Sequence, residues 1–278
     1  WYINHIGPYA FQKLANVQSK TIFGGMENAG CIFYFENSVN TKDIESLMAH
    51  EIAHQWFGDN VTEKDWPHLW LSEGFATYMT DLYLENKYGK DSLKNLLRTQ
   101  REEVITYSQK SNTPVIDTTE SKNLMKLLNA NSYQKGGWVL HMLRRKLGDS
   151  LFWQGIRTYY KTYYSSNANT NDLEKIFEQV SHQNLKSFFN QWLYSPGQPM
   201  LHIDWKYDKA KKSVVLEIKQ TQTPLFEFPL QISFVNGNKT EIKTFDIKDK
   251  ITKKVVLLQS APERIIVDPN VDLLFSSQ

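Results

Sequence analysis

The chain has 278 residues, 41% hydrophobic and 22% charged, enough to bury a sizeable core as one large or two moderate domains. Its 32 basic and 30 acidic residues leave a net charge of +2, a balance without the basic excess that nucleic-acid binding draws on. No run approaches the ~20 apolar residues of a membrane-spanning helix, and the single cysteine, Cys31, excludes both an internal disulfide and a cysteine-built metal site.

In chain order, Thr21-Ile22-Phe23 and Cys31-Ile32-Phe33-Tyr34-Phe35 read as strands around Gly24-Gly25-Met26-Glu27-Asn28. Paired glycines let the main chain come close to a bound peptide, which would lie beside an edge strand and pair with it. A helix is expected over 43–57, started by Thr41 or Asp43 and ended by Gly58, with Ile44, Leu47, Met48, Ile52 and Trp56 facing the core. That helix carries His50-Glu51-Ile52-Ala53-His54. Four residues advance about 400° on a helix, so the two imidazoles share one face, one turn apart. Two such rings bind one Zn²⁺, a carboxylate from a second helix supplies a third ligand, and the fourth position stays open for water. Glu51 projects beside the pair, where it can take a proton from that water. The competing reading is a buried helix with two hydrogen-bonded core histidines, but a buried carboxylate between them is costly unless paired or metal-bound.

A second helix is expected over 72–88, with Ser72 as its N-cap and Phe75, Tyr78, Met79 and Leu82 as its apolar stripe. Glu73 then falls in the first turn. Alone it reads equally well as a glutamate favoured by the helix dipole; with the histidine pair, it reads as the third ligand. Further helices are expected over 91–108, 121–129, 134–147, 150–163, 171–180 and 184–194, punctuated by Gly89, Gly148 and the run Ser165-Ser166-Asn167-Ala168-Asn169. Thr170-Asn171-Asp172-Leu173-Glu174 resembles a helix start. His5, His68, His141, His182 and His202 have no ligand-spaced partner.

The pattern breaks at Ser195-Pro196-Gly197-Gln198-Pro199, which suggests domains at 1–197 and 198–278. Beyond it the period becomes two: Val214, Leu216 and Ile218; Leu230, Ile232 and Phe234; Ile242, Phe245 and Ile247; then Val255, Leu257, Ile265 and Val267. Asn236-Gly237-Asn238 marks a hairpin turn. About seven strands in a small antiparallel β-sandwich are expected.

Three motifs in order resemble those of the M1 zinc aminopeptidases: Gly24-Gly25-Met26-Glu27-Asn28, similar to their exopeptidase signature; His50-Glu51-x-x-His54 with Glu73, similar to the gluzincin metal site; and Tyr133 in Asn131-Ser132-Tyr133-Gln134-Lys135-Gly136-Gly137, similar to the segment of their catalytic tyrosine. The resemblance implies an α+β chain, a thermolysin-like zincin lobe, mostly helical after a small N-terminal sheet, followed by the β-sandwich. It implies one Zn²⁺ per chain and peptide substrates with a free N-terminus. Glu27 would hold the α-ammonium group, Met26 would line the first side-chain pocket, and Tyr133 would donate to the oxyanion. Several relatives carry a carboxylate two turns after the metal-binding glutamate, supporting a zinc histidine; here that position is Thr80, with Asp81 beside it. The family normally begins with an N-terminal β domain that adds an acid to the amine anchor. This chain begins at Trp1, so the expectation is a formed metal site with an incomplete amine pocket and weak activity. Compartment is not expected to be readable from such a sequence.

Two other functions compete. An epoxide-hydrolysing relative shares the same motifs, and a non-catalytic peptide-binding module would retain the fold. The presence together of His50, Glu51, His54, Glu73 and Tyr133 argues against the second.

Overall fold

The computed structural model describes residues 1–120 and 123–277. The chain separates into two compact units, Trp1–Pro196 and Gly197–Gln278.

The first unit opens with a short helix, α1 (Tyr2–His5), and a three-stranded sheet of β1 (Ala15–Ser19), β2 (Gly25–Met26) and β3 (Cys31–Phe35). Its order is β1-β3-β2, with β1 parallel and β2 antiparallel to β3, so the two-residue β2 lies on an edge. The strand expected at Thr21–Phe23 is instead a bend, and the paired glycines themselves lead into the strand. Those glycines allow the close approach described below.

Helix α2 (Ile44–His54) is shorter than the expected span: it follows Asp43, which makes no side-chain cap, and ends at Gln55 rather than Gly58. Of the predicted core stripe, Trp56 is buried while Ile44, Leu47, Met48 and Ile52 are half-buried; the buried residues within the helix are Ala49, Glu51, Ala53 and His54. Helix α3 (Trp70–Tyr88) packs against α2. Helix α3 begins two residues before Ser72, and Phe75, Tyr78, Met79 and Leu82 are all buried, as are residues on its other faces. Between these helices β4 (Val61–Glu63) pairs in parallel with β5 (Ser166–Ala168).

The remaining helices are α4 (Lys90–Ser108), α5 (Leu124–Leu127), α6 (Gly136–Leu147), α7 (Asp149–Thr162), α8 (Thr170–Ser181) and α9 (Lys186–Phe189). Of the helix expected over 121–129, Ser121 and Lys122 lie outside the described residues. Helix α6 is preceded by one π-helical turn, Asn131–Lys135, and α9 is followed by another, Asn190–Tyr194. Helix α8 starts with a reciprocal capping box: the Asp172 N–H donates to the Asn169 side chain while the Asn169 N–H donates to the Asp172 carboxylate. Among the described residues no helix is long and apolar enough to cross a membrane.

The second unit has two sheets, of order β10-β7-β6-β12 and β11-β8-β9. Their strands are β6 (Met200–Asp208), β7 (Ser213–Gln220), β8 (Phe228–Asn236), β9 (Lys239–Ile247), β10 (Ile251–Leu257), β11 (Arg264–Val267) and β12 (Ser276–Ser277). All pairs are antiparallel except β12 with β6. Val214, Leu216, Ile218, Leu230, Ile232 and Phe234 are buried as their alternation predicts, and β8 turns into β9 through Gly237-Asn238. Strand β10 has the opposite register: Thr252 and Val256 point inward, while Val255 and Leu257 are exposed. In β9 only Ile247 is buried, and Ile242 is exposed.

One buried charge bears on stability. Asp81, on α3, is 2% exposed and accepts hydrogen bonds from Gln100 Nε2 on both carboxylate oxygens, each at 3.0 Å. Burial pushes its carboxyl up to about 7, the Gln100 bonds opposing. The folded protein therefore binds a proton more tightly than the unfolded chain, whose aspartates titrate near 3.9. The stabilisation is full below about pH 4 and lost as pH rises through about 7, at up to about 1.4 kcal/mol per pH unit. Asp81→Asn should remove that slope, making the variant more stable relative to the parent at pH 8 than at pH 5 in denaturant unfolding.

Candidate active site

His50 and His54 project from the last two turns of α2, and Glu73 projects from the first turn of α3. The contact between those helices brings the three side chains together. His50 Nε2 and His54 Nε2 are 3.1 Å apart, and each is 3.3 Å from Glu73 Oε2. No other group of three or more His, Cys, Asp or Glu side chains among the described residues has metal-ligand spacing.

The triangle has the size of a metal site. Ligand atoms about 2.0–2.1 Å from a tetrahedral Zn²⁺ stand about 3.3–3.4 Å from one another. The donor chemistry fits as well, with two imidazoles and one carboxylate leaving the fourth vertex to solvent. Electrostatically the triangle favours positive charge at its centre. Burial would raise the Glu73 carboxyl, but the His54 ring and hydrogen bonds to both histidines hold it well below the usual carboxylate range. Burial works against protonation of His54, yet the Glu73 charge pushes that ring up to about 10; His50 is lowered, mainly by burial. A divalent cation would take the place of that proton between the same three atoms.

The sequence leaves the support of a zinc histidine open among Asp81, Thr77 and a backbone carbonyl; on the far side of the His54 ring it is a backbone carbonyl, joined by a serine hydroxyl that sequence reasoning does not name. Nδ1 lies 3.0 Å from Ser72 Oγ and 3.2 Å from the Phe57 carbonyl. With Nε2 facing the triangle, Nδ1 carries the hydrogen and donates to both. Ser72 is thus not the N-cap of α3: the helix starts earlier and turns the serine hydroxyl onto the histidine. Thr80 donates back to the Ala76 carbonyl, and Asp81 accepts from Gln100, so both are engaged elsewhere.

Tyr133 sits on the π-helical turn, donates its hydroxyl to Glu73 Oε1 at 2.8 Å, and stacks on the His50 ring at 6.0 Å. Burial, then the Glu73 charge, pushes its phenol up, so it keeps its proton at neutral pH. Backbone-to-backbone contact sets this position. A Cβ on Gly74 would lie 2.8 Å from Gly136 Cα, and one on Gly136 would lie 3.0 Å from Gly74 Cα. Glycine at both positions lets the residue after Glu73 touch the third residue after Tyr133.

The Gly24–Asn28 segment forms the other wall. The Gly24 carbonyl accepts from Phe35 N–H, Gly25 and Met26 form the edge strand β2, and the Asn28 carbonyl accepts from Cys31 N–H. A Cβ on Gly25 would collide with the Glu51 carboxyl, so the edge strand rests directly on that side chain. Glu51 is 5% exposed, and burial pushes its carboxyl up to about 8, with His54 opposing. Glu27 follows at the end of β2, its carbonyl tied to Gln55. None of the other five histidines joins the cluster; His68 makes a part-buried contact with Thr170 and His141 a buried one with Tyr78.

A model of the peptidase family M1 domain matches residues 4–192. Aminopeptidase M1-C of Oryza sativa subsp. japonica is 32% identical over 212 residues, which cover 72% of this chain and 24% of that protein. Probable aminopeptidase 2 of Sulfurisphaera tokodaii is 32% identical over 243 residues, covering 82% of this chain and 31% of its own length. Human aminopeptidase N is 32% identical over 206 residues, 65% of this chain and 21% of that protein. The chain thus spans between a fifth and a third of the length of these relatives. The crystal structure of Legionella pneumophila aminopeptidase A in complex with aspartic acid superposes with a TM-score of 0.82 over 100% of this chain and 33% of that one; at 17% identity it speaks for the fold.

Ser72→Ala should weaken binding of a divalent transition ion about 10- to 100-fold while leaving the protein folded. Competition against a chelator of known affinity measures the loss, and an unchanged affinity would show that the Phe57 carbonyl orients His54 unaided.

Proposed function

The chain belongs to peptidase family M1, and on that premise and the geometry of the site we propose that it is the catalytic part of a zinc aminopeptidase that removes the N-terminal residue of peptides. The observation that carries this reading is the buried triangle of His50, His54 and Glu73, sized for one tetrahedral ion. Around it stand a buried carboxyl, Glu51, and a protonated phenol, Tyr133. Bound there, Zn²⁺ would polarise the scissile carbonyl and bring the pKa of a water towards about 7.

The chain's own side chains supply the rest. A peptide laid antiparallel or parallel to β2 would pair its main chain with this edge, beside Glu51. Glu51, as general base, accepts a proton from the attacking water and passes it to the leaving amine. Tyr133 already points its hydroxyl at the ligand cluster; on substrate entry its hydrogen bond is redirected from Glu73 Oε1 to the developing oxyanion. Glu27, one residue beyond β2, pairs with the substrate's α-ammonium group, and Met26 lines the first side-chain pocket. A fixed anion at one end and the ligand cluster at the other leave room for one residue before the scissile bond.

Two outcomes test the reading. An aminoacyl p-nitroanilide should be hydrolysed and its N-acetylated twin should not, and Glu51→Gln should lower kcat at least about 100-fold while retaining one zinc per chain. Full turnover by that variant, or by protein stripped of metal, would end the proposal. Tyr133→Phe should lower kcat about 100- to 1000-fold with KM little changed, the signature of a group that acts mainly in the transition state.

A further inference from the structure

Gln55 follows His54 at the end of α2 and is completely buried, yet it belongs neither to the metal triangle nor to the substrate edge. Its amide makes four hydrogen bonds. Nε2 donates to the Glu27 carbonyl at 2.6 Å and to Asp59 Oδ2 at 2.6 Å. Oε1 accepts from the Gly30 N–H at 2.7 Å and, more weakly, from the Tyr9 hydroxyl at 3.2 Å, whose single hydrogen is shared with the Lys13 carbonyl at 2.9 Å. A primary amide has two N–H hydrogens and two acceptor lone pairs, so its capacity is filled. The orientation is unambiguous, because a backbone carbonyl only accepts and a backbone N–H only donates.

The bonds to Glu27 and Gly30 hold both ends of the loop that follows β2. That loop carries the carboxylate assigned to the substrate's α-ammonium group, and the side chain holding it is the direct neighbour of a metal-ligating histidine. We propose that Gln55 is the positioning residue of the amine anchor: its buried amide fixes the Glu27–Gly30 loop to the end of the metal-binding helix and so sets the span from the α-ammonium group to the scissile bond. The inference rests on the aminopeptidase reading and adds to it the element that measures one residue. Misplacing a reacting group by about 1 Å costs on the order of 100-fold in rate, so an anchor on an otherwise short loop needs such a tie.

Two variants separate positioning from folding. Gln55→Met removes all four bonds at similar volume. The double variant Gln55→Glu with Asp59→Asn keeps acceptors for Gly30 and Tyr9 and restores the bond to position 59, now donated by the asparagine. Assayed above the pH at which the new carboxyl ionises, it leaves the Glu27 carbonyl facing an oxygen with no hydrogen to give. Each is compared with the parent on an aminoacyl p-nitroanilide and on the corresponding des-amino acyl p-nitroanilide, with zinc content and hydrogen exchange of the Gly30 amide as readouts besides turnover. The expected result is unchanged zinc content in both variants, faster Gly30 exchange in Gln55→Met, and a preference for the free amine that falls at least about tenfold, through KM more than kcat, in both. A folded, zinc-loaded variant of either kind that keeps the parent's preference overturns the role of Gln55 and leaves the aminopeptidase reading standing. A parent that cleaves neither substrate, or both equally, overturns the aminopeptidase reading, and the anchor falls with it.

Discussion

Two imidazole nitrogens and a carboxylate oxygen, all within 3.3 Å of one another and largely out of water, form a cluster that is stable only with positive charge at its centre. The local architecture keeps that triangle closed. Helix α3 packs against α2, which brings Glu73 within reach of both rings. Ser72 and the Phe57 carbonyl hold one ring from behind. Gly74 and Gly136 bring the π-helical turn onto α3, which lays Tyr133 over the carboxylate. These last contacts are made by residues chosen for being small or for offering one polar atom.

The site draws on two kinds of structure. Helices, whose backbone hydrogen bonds are satisfied internally, hold the groups proposed to carry the chemistry. A strand of two residues at a sheet edge leaves main chain for a peptide to pair with. The two meet where Gly25 lies on Glu51, and again where Gln55 grips the loop beyond β2. A substrate bound along that edge would be registered against the helix ends through those two contacts.

Much of this was legible from spacing. His50, Glu51 and His54 follow from the helical period, Glu73 from its place at a second helix start, and the alternation of β7 and β8 from period two. Other features were hidden because their cause is tertiary. Ser72 has the residue type of a cap, but α3 begins at Trp70, and only the packing of α2 shows its hydroxyl beside His54. Gln55 carries no periodic signal, since its partners lie between 4 and 46 residues away in sequence. In β10 the apolar residues Val255 and Leu257 face out, a register that follows from pairing with β7 rather than from hydrophobicity. Tyr133 became a site residue through a motif, and the structure adds a reason for its reach: a π-helical turn inserts an extra residue before α6.

Helix α3 carries two buried carboxylates, Glu73 and Asp81, and their opposite behaviour separates function from packing. Eight residues advance about 800°, which leaves them about 80° apart around the helix, one turned to the histidines and the other to α4. Glu73 is held ionised despite burial because two rings oppose the cost; Asp81, bonded to the neutral amide of Gln100, is pushed up to about 7 by that same burial. Desolvation raises any buried carboxyl, so the sign of the net shift reports what faces it. By that criterion Glu73 stands where a cation belongs. Asp81 stands where a proton does, and a group that is half-neutral near pH 7 and bonded to Gln100 is poorly suited to fix the tautomer of a metal-binding imidazole. The serine hydroxyl and the backbone carbonyl behind His54 have no charge to lose with pH, so the support they give the ring is independent of proton uptake elsewhere on α3.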